Sequence, residues 1–388
     1  MNGFIIKECE CVQFNLPKIN IFGEQAIEQL IPEISKKKWA SALIVTDKFM
    51  RESQAYQRVL KVFSSTKIKF KVFDKTSPDP NIELVEEATE YIKNTDCDFI
   101  LTLGGGSAHD LGKGVALLSK TNKNIKDFVG INKVDHLVLP IVCINTTSGT
   151  GSEVTRFSII SDVNEKVKLA IIDDKLIPTI SINDTETLIT MPPFLTGTTG
   201  MDALTHAIEA YLSTEANTLT DAYAIKAIEL ISENLIEAYN NGKNIVAREC
   251  MAQAQYMAGV AFSNASLGYV HAIAHQIGGR YHLPHGLCNA VLLPKIIEGV
   301  AKKNSSLRFN NIGKAMNVPM SAYGVISKIE TMNSKLNIPN SLSDIGVRKD
   351  DIDDIVIKAL EDPCRMTSPV QFTQDELVHI LVKGLQEV

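Results

Sequence analysis

Phe99-Ile100-Leu101-Thr102-Leu103 runs without a break into Gly104-Gly105-Gly106-Ser107-Ala108-His109-Asp110. The first five residues predict a buried strand, the glycines predict a tight turn, and Ala108 to Ser119 has the periodicity of a helix. A strand, a glycine turn and a helix N-terminus form an anion site, because backbone N–H groups and the helix dipole both favour negative charge. A triple glycine also serves close packing, so the turn alone leaves a phosphate site and a packing turn open.

The rest of the N-terminal half alternates apolar runs with amphipathic segments, as strands and helices do in an α/β layer. The near-continuous apolar character of the runs suits parallel strands that are covered on both faces. The predicted strands are Ala42 to Thr46, Ile68 to Phe73, Phe99 to Leu103, Leu137 to Asn145 and Ala170 to Asp173, and the predicted helices are Asn81 to Asn94 and Ala108 to Ser119.

After about residue 190 the strand-like runs give way to helical stretches such as Ser213 to Asn240 and Ala247 to Phe262. Met191-Pro192-Pro193 interrupts the chain at the change of pattern. A chain of 388 residues also exceeds what one hydrophobic core usually supports. We therefore predict two domains, an α/β domain over 1–190 and an all-helical domain over 191–388.

The composition excludes several classes of function. A net charge of −6 argues against a general nucleic-acid binder, which needs a basic face to neutralise phosphates. No apolar run approaches the roughly 20 residues that span a bilayer, and Lys7, Glu8 and Glu10 interrupt any signal peptide. The seven cysteines are odd in number and form no C-x-x-C pair, which indicates reduced thiols. We expect a cytoplasmic protein with no membrane or nucleic-acid partner.

A second loop, Thr146-Thr147-Ser148-Gly149-Thr150-Gly151-Ser152-Glu153, also follows a strong strand and is rich in hydroxyls and glycines. Two such loops at the C-terminal ends of parallel strands predict a crevice that holds a dinucleotide. Asp47 follows the strand Ala42 to Thr46, where a carboxylate can accept hydrogen bonds from a ribose 2′-hydroxyl and repel a 2′-phosphate. This position favours NAD over NADP, and a helix-capping aspartate is the alternative.

Three short segments of the helical half carry candidate metal ligands: Asp202-Ala-Leu-Thr-His206, His271-Ala-Ile-Ala-His275 and Pro284-His285-Gly286. An i,i+4 pair on a helix places both side chains on one face, roughly 5–6 Å apart at Cβ. A lone histidine is usually a hydrogen-bonded core or surface residue, but five of the eight histidines lie between 206 and 285. Asp202, His206, His271 and His285 can therefore build one site for Fe(II), Zn(II), Mn(II) or Co(II).

The histidines also allow other uses. His271 and His275 have the zincin spacing, but Ala272 stands where the general-base glutamate would be, which argues against peptide hydrolysis. The His109-Asp110 pair is similar to the dyad of metal-dependent phosphohydrolases, but its glycine turn after a strand predicts cofactor contact instead. Spacing alone leaves His282 open as a ligand.

Taken together, these motifs identify the chain as a member of the iron-containing (group III) alcohol dehydrogenase family. The resemblance covers essentially the whole length. The matching motifs are Gly104-Gly105-Gly106-Ser107-x-x-Asp110, Thr146-Thr147-Ser148-Gly149-Thr150-Gly151-Ser152-Glu153, Gly200-Met201-Asp202-Ala203-Leu204-Thr205-His206-Ala207-Ile208-Glu209, His271-x3-His275-x9-His285-Gly286 and the near-terminal Asp362-Pro363-Cys364.

The resemblance implies a dehydroquinate synthase-like fold with an N-terminal dinucleotide-binding domain, a C-terminal helical metal domain and a catalytic cleft between them. It makes Asp202, His206, His271 and His285 the metal ligands and His275 a cleft histidine beside the nicotinamide. The residues that it assigns to the cofactor are Asp47, Gly104, Gly105, Gly106, Ser107, Asp110, Thr146, Thr147, Ser148, Lys168 and Leu188.

The predicted function is NAD-dependent interconversion of a primary alcohol or diol and its aldehyde, with Fe(II) as the metal, Zn(II) as the alternative, and a homo-oligomer of two or more chains. His275, one helical turn from His271, is the candidate proton relay. Two alternatives remain: a lyase or synthase of the dehydroquinate synthase type, whose basic phosphate-binding residues are not apparent near the metal motifs, and a non-catalytic metal- or nucleotide-binding protein. Ethanol, butanol, 1,3-propanediol and lactaldehyde-type substrates all stay open.

Overall fold

The computed structural model describes residues 11–93, 95–165, 167–304 and 308–385. Cys9, the N-terminal charges at Lys7, Glu8 and Glu10, and Asn94 at the predicted end of a helix lie outside the described residues. The chain forms two compact units, one from Asn15 to Met191 and one from Pro192 onward, which the described residues before Asn15 join. Phe14 stacks on Tyr223 of the second unit, with ring centroids 6.0 Å apart.

The first unit is built on a parallel sheet of six strands in the order β1-β9-β6-β4-β2-β3, beside a small sheet in the order β5-β8-β7. In the small sheet β5 is parallel to β8 and β7 is antiparallel to it. The strands are β1 Ile19–Gly23, β2 Ser41–Val45, β3 Lys69–Phe73, β4 Phe99–Gly104, β5 Gly130–Ile131, β6 Ile141–Asn145, β7 Phe157–Asp162, β8 Val167–Ile172 and β9 Ile180–Asp184.

Helices cover both faces of the large sheet. Along β2, Leu43 and Val45 belong to one hydrophobic core and Ala42 and Ile44 to another, because successive side chains of a strand point to opposite faces. Both cores consist of buried apolar residues, which explains the continuous apolar run in this strand. The helices are α1 Leu30–Lys37, α2 Lys48–Arg51, α3 Gln54–Thr66, α4 Ile82–Lys93, α5 Gly106–Leu118 and α6 Thr185–Leu188, with 3-10 turns at Ala26–Gln29, Ile125–Phe128 and Asp174–Leu176.

The second unit is helical throughout the part of the chain that the structure describes, which confirms the predicted fold class. Its helices are α7 Pro193–Leu212, α8 Thr218–Asn240, α9 Ile245–Ala265, α10 Tyr269–Tyr281, α11 His285–Lys303, α12 Arg308–Ala315, α13 Ala322–Lys335, α14 Ile352–Ala359 and α15 Gln374–Gly384, with 3-10 turns at Lys349–Asp351 and Pro363–Thr367. Among the described residues no helix is both long and apolar enough to cross a membrane.

Two strand predictions were wrong in part. The run Leu137 to Asn145 is a strand only from Ile141, because Pro140 has no N–H to donate to a ladder and Leu137 is 83% exposed. Of the run Ala170 to Asp173, the first three residues lie in β8, which pairs antiparallel with β7 in the small sheet, and Asp173 caps the next 3-10 turn. The strands β1, β5, β7 and β9 were not predicted.

Candidate active site

Four side chains of the helical unit converge on one point. Asp202 and His206 lie on α7, His271 lies on α10, and His285 is the first residue of α11. Asp202 Oδ1 is 3.7 Å from His285 Nε2, 3.9 Å from His271 Nε2 and 4.0 Å from His206 Nε2. A metal binds such atoms at roughly 2.0–2.2 Å, so donors around one ion lie up to about twice that distance apart. The predicted ligands are therefore brought together at the spacing of a single metal site.

Packing fixes each of these side chains. The His206 ring lies between the rings of Phe262 and His271, with centroids 4.3 and 4.5 Å away. The start of α11 approaches α7 so closely that a Cβ at Gly286 would overlap the backbone oxygen of Thr198. Only glycine permits this approach, and the approach carries the neighbouring His285 to the cluster.

The chemistry of the donor set fits a divalent transition metal. The set offers imidazole and carboxylate with no thiolate, and burial holds the pKa of His271 well below its usual range, so this imidazole is neutral as a ligand must be. Asn289 lies at the focus of the set, with Nδ2 2.6 Å from Asp202 Oδ1 and 3.1 Å from the Nε2 atoms of His271 and His285. The NH2 group of Asn289, which carries a positive partial charge, thus lies among donor atoms that suit a cation.

Behind His271 lies a buried carboxylate that the sequence analysis did not single out. Glu209 Oε2 is 2.6 Å from His271 Nδ1, and Glu209 Oε1 accepts a hydrogen bond of 2.7 Å from the backbone N–H of Val270. Burial raises the pKa of Glu209, whereas hydrogen bonds from the backbone N–H groups of Val270 and His271 lower it and favour the charged carboxylate. A signal was present, because positions 202, 206 and 209 follow the i, i+4, i+7 spacing of one helix face.

His275 lies one turn further along α10 and has a carboxylate of its own. Its Nδ1 is 2.8 Å from Asp362 Oδ2, and its ring stacks on that of His285 with centroids 5.3 Å apart. Burial would raise the pKa of Asp362, but the charge and hydrogen bond of His275 outweigh it and lower that pKa. His275 does not belong to the four-ligand cluster; its donor atom groups with those of Asp362 and Cys364 instead. Burial keeps Cys364 a protonated thiol by raising its pKa well above the usual value.

In the α/β unit, the loops predicted to bind a cofactor lie at a reversal of the strand order. The chain passes from β2 to β3 on one side and then to β4 and β6 on the other, so the crevice lies beyond the C-terminal ends of β2 and β4. Asp47 follows β2, the glycine turn at 104–106 follows β4, and Thr146 follows β6. The Thr46 hydroxyl donates to the Leu103 carbonyl at 2.8 Å, which ties the first two strand ends together.

The two loops also pack on each other. A Cβ at Gly105 would lie 2.7 Å from Thr147 Cγ2, so glycine is needed for close approach as well as for access to backbone N–H groups. The Ser152 hydroxyl donates to Asp110 Oδ1 at 2.7 Å, and the Ser107 hydroxyl donates to the Pro78 carbonyl. Both the packing and the anion-site interpretations of the glycine turn are thus compatible with the structure.

Lys113 was missed by the sequence analysis, although it lies one turn after Asp110 on α5. Its ammonium is fully buried and donates to the backbone oxygens of Ser152, Thr155 and Phe157 at 2.7, 2.9 and 2.7 Å. Burial lowers the pKa of Lys113. The lysine fixes the segment that follows the second loop to the helix that follows the first.

The remaining predicted cofactor residues differ in accessibility. Lys168 lies on β8 with Nζ 3.1 Å from Asp79 Oδ1, while Thr146 is nearly buried with its N–H bonded to the Gly104 carbonyl. Leu188 is fully buried at the end of α6, and Ser148 is buried against Met191, so neither side chain presents surface to a nucleotide in this structure.

For three further residues, Asp47, His109 and His282, the sequence left more than one role open. Asp47 Oδ1 accepts from the N–H of Met50 at 2.8 Å, so it does cap α2, as the alternative interpretation held, and this uses only one of its two oxygens. The His109 side chain is fully buried with Nδ1 2.6 Å from Thr102 Oγ1, so in this structure it presents no surface to a cofactor. His282 is an exposed C-cap of α10 in the left-handed conformation and lies outside the ligand cluster.

Comparison with known proteins agrees with the site. The family described as iron-containing alcohol dehydrogenase matches residues 17–185, and the C-terminal part of the Fe-containing alcohol dehydrogenase family matches residues 196–385. Alcohol dehydrogenase 4 of Saccharomyces cerevisiae is 43% identical over 378 residues, which cover 96% of this chain and 98% of that protein. The NAD-dependent methanol dehydrogenase of Bacillus methanolicus is 39% identical over 381 residues, covering 96% and 99%.

A solved structure extends the agreement to three dimensions. The crystal structure of a 1,3-propanediol oxidoreductase superposes with a TM-score of 0.94 at 37% identity and covers 97% of this chain and 100% of that one. The alternative of a dehydroquinate synthase-type lyase is thereby set aside in favour of alcohol oxidation and reduction. With both halves matched and the donor set in place, the chain belongs to the iron-containing alcohol dehydrogenase family and is an alcohol oxidoreductase.

Proposed function

We propose that the chain interconverts a primary alcohol or diol and the corresponding aldehyde, with NAD as hydride carrier and a divalent metal, Fe(II) before Zn(II), held by Asp202, His206, His271 and His285. The observation that carries the proposal is the convergence of these four donor atoms within 4.8 Å of one another. Asp202, His206 and His271 are buried, which excludes water from most of the set. When bound, the metal polarises the alcohol oxygen as a Lewis acid and NAD accepts the hydride.

His275 is proposed to move the hydroxyl proton of the alcohol. Asp362 accepts from Nδ1 at 2.8 Å, which leaves Nε2 with the free electron pair that a proton acceptor needs. The His275 side chain is 16% exposed, so a proton taken up at Nε2 can pass on to solvent. Its stacking on His285 keeps the acceptor next to the metal ligands without making it one.

The α/β unit is proposed to bind NAD at the crevice between the ends of β2 and β4. The start of α5 offers backbone N–H groups that have no intrahelical partner, and these suit the pyrophosphate. The proposed contacts are Asp47, Gly104, Gly105, Gly106, Ser107, Asp110, Thr146, Thr147 and Lys168. The free carboxylate oxygen of Asp47 supports NAD over NADP, because it would repel a 2′-phosphate.

The proposal also covers the cellular compartment and the oligomeric state. None of the six cysteines in the described ranges forms a disulfide, in keeping with a reducing cytoplasmic compartment. A homo-oligomer of two or more chains is proposed on the family resemblance. Light scattering of the purified protein tests the second point, and a monomer at micromolar concentration would contradict it.

The main test combines metal analysis with steady-state kinetics. Purified protein, loaded anaerobically with Fe(II) or with Zn(II), is assayed across short primary alcohols, 1,2- and 1,3-diols and their aldehydes, with NAD and NADP. We expect about one metal per chain, stoichiometric NADH formation with at least one alcohol, and loss of both metal and activity in His206→Ala. Metal binding without any turnover of NAD would support a binding protein instead.

A further inference from the structure

We propose that Glu209 is a positioning residue that holds His271 with Nε2 directed at the metal, and that residue 268 is glycine because this carboxylate occupies the space of its Cβ. The inference rests on the proposed function, since it assumes that His271 is a metal ligand. Glu209 is not one of the four proposed ligands, but it contacts one of them.

Three N–H groups contact the carboxylate of Glu209. Glu209 Oε1 accepts from the Val270 N–H at 2.7 Å, and Oε2 lies 3.4 Å from the His271 backbone nitrogen and 2.6 Å from His271 Nδ1. The first N–H groups of α10 have no intrahelical partner, and a side chain from α7 satisfies them here. The Glu209 side chain is only 6% exposed. Every polar contact of this buried carboxylate is therefore directed at the segment that carries His271.

This arrangement fixes the tautomer of the ligand. A neutral imidazole carries one proton, and a metal at Nε2 leaves that proton on Nδ1. Glu209 Oε2 is the acceptor for it. His271 Nε2 then faces the donor set, 3.9 Å from Asp202 Oδ1. Hydrogen bonds of this kind orient ligands and strengthen their basicity, and losing one typically weakens metal binding about 10- to 100-fold.

The position of Glu209 on α7 and the glycine at 268 both fit this role of the carboxylate. Glu209 lies seven residues after Asp202 and three after His206 on α7, so one helix face supplies two ligands and the support of a third. A Cβ at Gly268 would lie 2.7 Å from Glu209 Oε1 and 3.2 Å from its carboxyl carbon. Any side chain at 268 would push the carboxylate away from α10. Residue 268 therefore gives a second, independent way to displace Glu209 without changing it.

The competing explanation is that Glu209 only caps α10 and stabilises the fold. The two explanations differ in what the substitution Glu209→Gln does. The glutamine side chain would have one acceptor oxygen where the carboxylate has two, so its NH2 group must face one of the three N–H donors. A capping role predicts a lower melting temperature with unchanged metal affinity, whereas a positioning role predicts a weaker metal complex and an altered His271 proton.

The experiment measures metal affinity apart from activity. The full-length protein is stripped by chelation and titrated with Co(II), followed by its visible absorption, and with Zn(II) by competition with a chromophoric chelator. We expect Glu209→Gln to raise the Kd about 10- to 100-fold, and Gly268→Ala to raise it in the same direction. Asp221→Asn is the matched control, because Asp221 is a partly buried carboxylate of the same unit that pairs with Arg308 away from the ligands.

A spectroscopic readout separates positioning from folding. In the Zn(II)-loaded wild type, His271 should show a slowly exchanging, downfield Nδ1–H resonance that disappears or moves upfield in Glu209→Gln. If wild type binds no metal, the proposed function fails. If wild type binds metal and both variants keep its Kd and the Nδ1–H resonance, the role of Glu209 is refuted. Should Glu209→Gln not fold, Gly268→Ala and the conservative Glu209→Asp decide by the same two measurements.

Discussion

His275 and Asp362 are 87 residues apart in the chain, yet their Nδ1 and Oδ2 atoms lie 2.8 Å apart. The contact joins α10 to the residue that caps the 3-10 turn Pro363–Thr367 through a second bond, from the Cys364 N–H to Asp362 Oδ1. One carboxylate thus positions the proposed relay and holds the loop beside it. The two functions of Asp362 can be separated, because each uses a different oxygen.

Asp362→Asn is expected to lower kcat/KM about 100-fold or more while metal content stays at one per chain. An asparagine can still accept the Cys364 N–H through its oxygen, but its NH2 then faces His275 Nδ1 and favours the wrong tautomer, and general acid–base catalysis contributes about 10²–10⁴. His275→Ala should give a similar loss. Metal analysis by atomic absorption accompanies the kinetics, and metal-free protein from His275→Ala would show that His275 is a ligand.

Asp47→Ser is expected to raise the ratio of kcat/KM with NADP to that with NAD by about 10-fold or more, because removing one charge near a 2′-phosphate is worth on the order of 1–2 kcal/mol in a partly exposed site. Serine retains an N-cap oxygen for the Met50 N–H, so α2 should keep its stability. Asp47→Asn is the control that keeps shape and cap while removing only the charge. Cofactor ratios equal to wild type in both variants would remove Asp47 from nucleotide selection.

The sequence predicted the strands β2, β3 and β4 of the large sheet well, and it missed β1 and β9. Strands β2 and β4 are buried on both faces, so their apolar runs are unambiguous. Strand β9 is just as buried but carries Ser181 and Asn183, and Asn183 Oδ1 accepts from the Asn145 side chain at 2.9 Å. These buried polar side chains interrupt the apolar run, so β9 has no continuous apolar signal in the sequence.

The residues of the candidate site also differ in how well the sequence predicted them. The i,i+4 spacing and the histidine count predicted the ligand set, because helix periodicity alone brings Asp202 and His206 together. Glu209 had a usable spacing on that face and was not singled out. Asp362 had none, since its contact with His275 depends on the path of the chain between α10 and the 3-10 turn. Local patterns therefore predicted the residues that are proposed to bind the metal, and the fold was needed to find the carboxylates that contact these histidines and His275.

Gly286→Ala is expected to lose most of the bound metal and to lower the melting temperature. The new Cβ would overlap the Thr198 carbonyl oxygen, a backbone atom that cannot rotate away, so α11 must shift and carry His285 out of the donor set. Gly279→Ala is the matched control on α10: a Cβ there meets nothing within 4 Å, and alanine should leave stability unchanged or raise it by about 0.4–1 kcal/mol. Equal metal content in the two variants would contradict the prediction.

His109 is expected to make the α/β unit acid-sensitive. Burial, with the charge of Lys113, lowers its pKa to about 3, whereas the unfolded chain titrates near about 6.5. Below about pH 6.5 the imidazole of His109 binds a proton in the unfolded state but not in the folded state. The free energy of unfolding therefore falls as pH falls, by about 1.4 kcal/mol between pH 7.5 and 5.5 from this group.

His109→Gln keeps a partner for Thr102 and should lack this part of the pH dependence. Urea unfolding followed by the fluorescence of Trp39, the single tryptophan, which packs on Phe99 in the same unit, measures the difference between the two proteins. Parallel pH profiles would mean that the pKa of His109 is the same in the folded and the unfolded state, and would contradict the prediction.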